Sequence, residues 1–170
     1  DIPNIDLYMD QVTTFMEDHL KKTRRHPGDK ILTKTMINNY AKNDLLPPPT
    51  KKKYSREHML VLIFIYYFKN LLSITDIQAL LKPLTEKYFK NDKDFGMEEV
   101  YKEVFSLEKG ELEKLQKDMK EKYAVSQETF KDAPEEDREF LQLFSFICIL
   151  AFDTYMKKTL IEKLVDSLNS

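Results

Sequence analysis

Glycine is scarce, with three residues in a chain of 170. Tight β-turns and loops that wrap phosphate with bare backbone have little material to form from, so helix is the favoured local structure. Cysteine occurs once, at Cys148, which excludes an internal disulfide framework and a cysteine-pair metal site. Its setting, SFICILAF, predicts a buried structural thiol in a reducing compartment. No run of about 20 uninterrupted apolar residues is present to span a bilayer. The longest stretch, Phe140 to Phe152, holds 13 residues before Asp153 and reads as core. The N-terminus shows no basic segment leading into an apolar one. The expected setting is therefore cytoplasmic, with no membrane partner.

Catalytic signatures are missing as well. There is no Gly-rich phosphate loop, no nucleophile elbow and no zincin motif, so the sequence predicts no enzyme and no cofactor. His19, His26 and His58 have no histidine or cysteine at ligand spacing, and no metal site is expected. Glu135, Glu136 and Asp137 are explained as the acidic first turn of a helix, where they complement its dipole.

What is present is a segregation of charge. The chain carries 42% hydrophobic and 33% charged residues, the balance of a folded globular protein and not of a disordered tail. Its formal net charge is only -2, yet Leu20 to Lys69 holds 12 Lys and Arg against 3 acids, leaving 15 basic and 26 acidic residues elsewhere. A basic surface suited to a polyanion, joined to an acidic and self-solvating region, is the physical reading of such asymmetry. Merely solvated helix faces are the competing reading, and they leave the clustering unexplained.

Periodicity gives the organisation. Asn4 reads as an N-cap, and Ile5, Tyr8, Met9, Val12, Phe15, Met16 and Leu20 predict a helix to about Arg25, ended by His26-Pro27-Gly28-Asp29. Thr33 caps a second helix, KTMINNYAKND, whose apolar stripe is Met36, Ile37, Tyr40 and Ala41. Lys34, Thr35, Asn38, Asn39 and Lys42 fall off that stripe, giving an outer face of amides, a hydroxyl and cations. LLPPP follows as extended backbone, then TKKKY as a short strand or hairpin tip, and Ser55 caps REHMLVLIFIYYFKNLL. The ten residues Met59 to Phe68 are apolar or tyrosine, so that helix is expected to be covered on several sides, as a hinge between modules. Ser73-Ile74-Thr75-Asp76 forms a capping box before DIQALL, which Lys82-Pro83 closes. Beyond lie a polar loop, NDKDFG, a charged helix from Met97 to about Tyr123 with a break at Gly110, and a helix from Pro134 to about Leu168 expected to form the centre of a C-terminal bundle.

A helix offering Lys, Thr and Asn side chains suits a major groove, where Asn reads adenine bidentately and Lys approaches guanine or phosphate. A stiff basic loop beside it suits the sugar-phosphate backbone. In NNYAKNDLLPPP, KKKYSREH, LVLIFIYYF and SITDIQALL the chain resembles the DNA-binding region of MerR-type transcriptional regulators, over about 50 residues. Over nearly its whole length it resembles a group of bacterial proteins, mainly Gram-positive, known as a domain of unknown function with a MerR-like core. The resemblance implies a winged helix-turn-helix in which Lys34, Thr35, Asn38, Asn39 and Lys42 lie on the recognition helix. Lys51, Lys52, Lys53 and Arg56 are then wing contacts to phosphate, with Lys51 to Lys53 as a merely solvated loop the competing reading. Tyr40 has two readings, the phosphate backbone or the core. Asp44 stands where the family often has glycine, so the chain must turn there without glycine's freedom. The recognition helix has no arginine, and no cysteines follow the family's metal-sensor spacing.

The expected architecture is thus mainly α: residues 1–83 a MerR-like winged helix-turn-helix module with a long first helix, residues 84–170 a helical dimerisation or effector domain. The expected function is a sequence-specific transcriptional regulator that binds double-stranded DNA as a homodimer, with a small-molecule effector in the C-terminal bundle. The alternative is a non-enzymatic helical module whose basic patch docks an acidic protein partner.

Overall fold

In the computed structural model, which describes residues 2–90 and 95–168, the chain is mainly helical. The elements in order are β1 (Leu7–Tyr8), α1 (Met9–Leu20), a 3-10 turn (Lys21–Thr23), α2 (Lys34–Lys42), β2 (Lys53–Tyr54), α3 (Arg56–Phe68), α4 (Ile74–Tyr88), α5 (Met97–Ser106), α6 (Glu108–Gln127) and α7 (Glu135–Leu168). They divide into two units, one reaching from the N-terminus to Lys102 and taking in the chain from Val165 onward, the other Glu103–Leu164. Of the polar loop expected at NDKDFG, residues 91–94 lie outside the described residues.

In the first unit α3 is the central element. Every residue from His58 to Tyr66 is buried, so no face of this stretch meets water, the condition under which a helix needs no amphipathic pattern. It is core and not the hinge the sequence suggested. The buried core of this unit also takes in Val12 and Met16 of α1, Ile37 and Tyr40 of α2, Ile31, Leu45 and Leu46 from the connections, and Ile77 and Leu81 of α4.

Two helix limits differ from expectation. The first helix begins at Met9, not at Asn4, because Leu7 and Tyr8 pair antiparallel with Tyr54 and Lys53. That pairing draws the preceding residues into extended backbone, and the Gln11 side chain then accepts the Tyr8 N–H at 2.9 Å to cap the helix. Pro83 does not close α4, which continues to Tyr88. Its ring is exposed, so the Ala79 carbonyl that loses its helical donor can turn to water. With α4 and the start of α5 continuing the first unit to Lys102, its limit falls beyond the expected boundary at Pro83.

In the second unit the break between α5 and α6 falls at Leu107, three residues before Gly110, which sits inside α6. Lys122 of α6 meets Asp153 of α7 at 3.1 Å, Tyr123 sets its ring edge-on to Phe146 at 5.4 Å, and Gln142 donates to the Gln127 and Thr129 carbonyls. The apolar middle of α7 is not the covered centre of a bundle within this chain. Phe140, Phe144, Phe152 and Tyr155 stand between 51% and 71% exposed, and Cys148 is half-buried where a fully buried thiol was expected. By length and composition α7 would suffice to cross a membrane, and none of its apolar window is buried.

Candidate nucleic-acid interface

The site is built on two adjoining pieces of the first unit, α2 and the turn between Thr50 and Lys53. The Thr33 hydroxyl accepts the Met36 N–H at 3.1 Å and so satisfies one of the free donors at the start of α2. Buried Ile37 and Tyr40 anchor the inner face, and this leaves Lys34, Thr35, Asn38, Asn39 and Lys42 exposed on the outer one. Tyr40 belongs to the core. Burial pushes its phenol pKa up, and its carbonyl accepts the N–H groups of Leu45 at 2.9 Å and Leu46 at 3.3 Å. The helix ends through Asp44 at φ 55°, the left-handed conformation usually given to glycine. That is the turn without glycine anticipated from the sequence.

Thr50 and Lys53 exchange backbone hydrogen bonds of 3.1 and 2.9 Å, and the two residues between them, Lys51 and Lys52, have φ of 51° and 64°. A two-residue hairpin turn with both central residues left-handed matches the twist of the strands it joins. Lysine is an unusual occupant, because each left-handed non-glycine residue costs roughly 1–2 kcal/mol. The result is a sharp, exposed tip carrying two cations. Lys53 is held further back, its Nζ 5.3 Å above the Tyr8 ring.

Two residues of the β1–α1 junction link these pieces. Tyr8 lies under Lys53, and Asp10 forms an ion pair with Lys34. The Lys34 charge is thus partly answered within the chain. Arg56 is placed otherwise than a hairpin contact: as the first residue of α3 it is half-buried and bonded through Nη2 to Glu98 at 3.1 Å, and Glu98 also meets Lys102 at 2.7 Å. Its guanidinium is committed to that carboxylate.

Lys90 was missing from the sequence expectations. It donates to the Thr50 hydroxyl at 2.9 Å and so adds a third cation at the base of the hairpin. Being 40 residues away in the chain, it left no local signal. His58, weighed in the sequence only as a metal ligand, also belongs to this region. Fully buried, it accepts the Ser55 N–H on Nδ1 at 2.9 Å, with Nε2 3.4 Å from the Pro48 carbonyl. The proton of the neutral ring therefore sits on Nε2. Tyr54 and Phe89 pack edge-on to it at 5.4 and 4.7 Å. Burial, more than the nearby Lys90 charge, pushes its pKa below 6.5, against the opposing pull of the Pro48 and Pro47 carbonyls and Glu57. The Ser-x-x-His spacing, a capping box with histidine in the usual Glu or Gln position, was the readable signal. The three histidines form no common site, since His19 stacks on Phe15 at 4.0 Å and His26 lies exposed after the 3-10 turn.

Beside α2 a cleft of about 450 Å³ gathers Arg24, Arg25, Lys30 and Lys69, with Asp29 and Met36 also in its wall, and Arg24 is ion-paired with Glu17. Lys69 donates to the Ile31 carbonyl at 2.9 Å, and burial lowers its pKa. The basic stretch seen in the sequence thus continues past α2 and the hairpin.

A family model described as a domain of unknown function, DUF1836, matches residues 1–104. The chain belongs to the DUF1836 family. No curated protein and no solved structure matches it. The DUF1836 match includes α2, the hairpin, His58 and Lys90, so the whole candidate site lies inside it.

Proposed function

We propose that this DUF1836 protein is a DNA-binding transcriptional regulator, with its first unit acting as a winged helix-turn-helix of MerR-like type. In this reading α2 is the recognition helix and the Thr50–Lys53 hairpin is the wing. The observation that carries it is the exposed face of α2, where Lys34, Thr35, Asn38, Asn39 and Lys42 stand on a helix fixed from behind by Ile37 and Tyr40. Amide side chains on a rigid helix are the groups that discriminate adenine in a major groove. The left-handed Lys51 and Lys52 present charge at a fixed tip, with Lys90 behind them, which suits phosphate contact. Arg56, bound to Glu98, and Tyr40, in the core, drop out of the contact set.

The test separates the two surfaces. Asn38→Ala is expected to weaken binding to a preferred duplex by about 1–3 kcal/mol and to leave random DNA nearly unaffected. Lys52→Ala is expected to weaken both duplexes alike and to reduce the salt slope by about 1. Equal losses from both substitutions on both duplexes would remove α2 as the reading element. The basic patch would then be a docking surface for an acidic protein.

A further inference from the structure

The 3-10 turn, the loop after it and the C-terminal end of α3 form the basic cleft of about 450 Å³. Arg24 is largely spent within the chain, on Glu17 and on the Pro27 carbonyl, which accepts its Nη1 at 3.3 Å. Arg25, Lys30 and Lys69 form no ion pair among the described residues. Asp29 turns its carboxylate to the His26 N–H at 2.9 Å. Three such cations against that carboxylate leave the cleft with a net charge of +2.

Lys69 is the most telling of them. It is half-buried, with its Nζ donating to the Ile31 carbonyl at 2.9 Å and standing 4.8 Å from the centroid of the Tyr66 ring. An ammonium offers three N–H bonds, so two remain unspent. Burial acts against its charged form and lowers its pKa, a cost that an anion beside it would offset.

We propose that this cleft binds a small organic phosphate, with Arg25, Lys30 and Lys69 holding the phosphate group. Charge selects the head: a phosphomonoester carries about -1.5 to -2 at pH 7, which answers the excess of the cleft. A concave wall lined by one sign of charge also concentrates such anions. Size and lining select the body. The volume falls in the range of about 300–1,000 Å³ typical of small-molecule sites, and Ile31 and Met36 supply apolar wall beside the Thr23 and Tyr66 hydroxyls, which bond to each other.

A DNA backbone suits this cleft less well. At 100° per residue, Met36 lies about 130° around α2 from the middle of the face formed by Lys34, Thr35, Asn38, Asn39 and Lys42. A cation drawn back onto a carbonyl and a ring suits a ligand that enters the cleft better than a duplex lying across its mouth. The proposal does not depend on the DNA-binding reading, and a free phosphate ester is a different ligand from the polyanion of that reading.

Isothermal titration calorimetry of the full chain, at about 150 mM salt to screen exposed charge, tests it with phenyl phosphate, inorganic phosphate and phenol. Phenyl phosphate is expected to bind one per chain, more tightly than inorganic phosphate, and phenol is expected not to bind. Lys69→Met and, separately, Arg25→Gln are each expected to weaken phenyl phosphate about 10-fold or more, and Lys52→Ala on the hairpin is expected to leave it unchanged. Because Lys69→Met also removes the bond to Ile31, Arg25→Gln at an exposed position supplies an arm that does not touch the fold. Absence of phenyl phosphate binding overturns the proposal, and if the same two substitutions then weaken duplex DNA, the cleft is a contact for the nucleic-acid backbone. Equal affinity for phosphate and phenyl phosphate overturns the organic body, and an equal loss from Lys52→Ala overturns the cleft as the site.

Discussion

His58 ties the base of the hairpin to the start of α3, since one ring nitrogen accepts from Ser55 and the other faces the Pro48 carbonyl. Its pKa in the folded chain lies below 6.5, so between the folded and unfolded values the unfolded chain binds more protons. Stability from this group is intact above about pH 6.5 and is lost as the pH falls toward the folded value. A charged ring would also turn Nδ1 from acceptor to donor against the Ser55 N–H. His58→Gln keeps an acceptor at the capping-box position and does not titrate. Chemical denaturation from pH 7.5 down to pH 5 is therefore expected to show a fall in stability for the natural chain that is reduced in the variant. Parallel losses in both would assign the pH dependence to other groups. Part of this was legible in the sequence: Ser55 was read as a cap, and the histidine three residues on was its partner. That the ring would be buried depends on Tyr54 and Phe89, which only the tertiary fold brings to it.

At the scale of elements, local rules located α2 well. Thr33, the Met36 to Ala41 stripe and the Asp44 turn are all set within a dozen residues. They failed where distant partners decide. The start of α1 depends on Leu7 pairing with Tyr54, and Lys90 reaches Thr50 from the far end of α4. The proline rule failed at Pro83 because packing of Ile77 and Leu81 holds the helix and the ring faces solvent. Proline in a helix interior is about 3 kcal/mol less favourable than alanine. Pro83→Ala is thus expected to raise the stability of the folded chain by about 1–3 kcal/mol, measured as a higher denaturation midpoint with an unchanged slope. A loss of stability would mean that α4 needs its proline for shape.

On the scale of the whole molecule, hydrophobic pattern identified α7 as an apolar helix, expected at the centre of a bundle, but not that this chain leaves its middle exposed. Periodicity records the apolar face alone and is blind to whether its cover is this chain or another. The same holds for the charge split, which located a basic stretch at residues 20–69 without showing what it meets. The central claim is that this surface binds DNA and prefers one sequence. The most direct measurement is fluorescence anisotropy with a duplex from the gene's own upstream region beside a scrambled duplex, at about 50 and about 200 mM salt. Tighter binding to the native duplex is expected, weakening with salt at a log-log slope of about -3 if Lys51, Lys52 and Lys90 each neutralise one phosphate. No binding to either duplex at the lower salt, with the protein folded, would contradict the account.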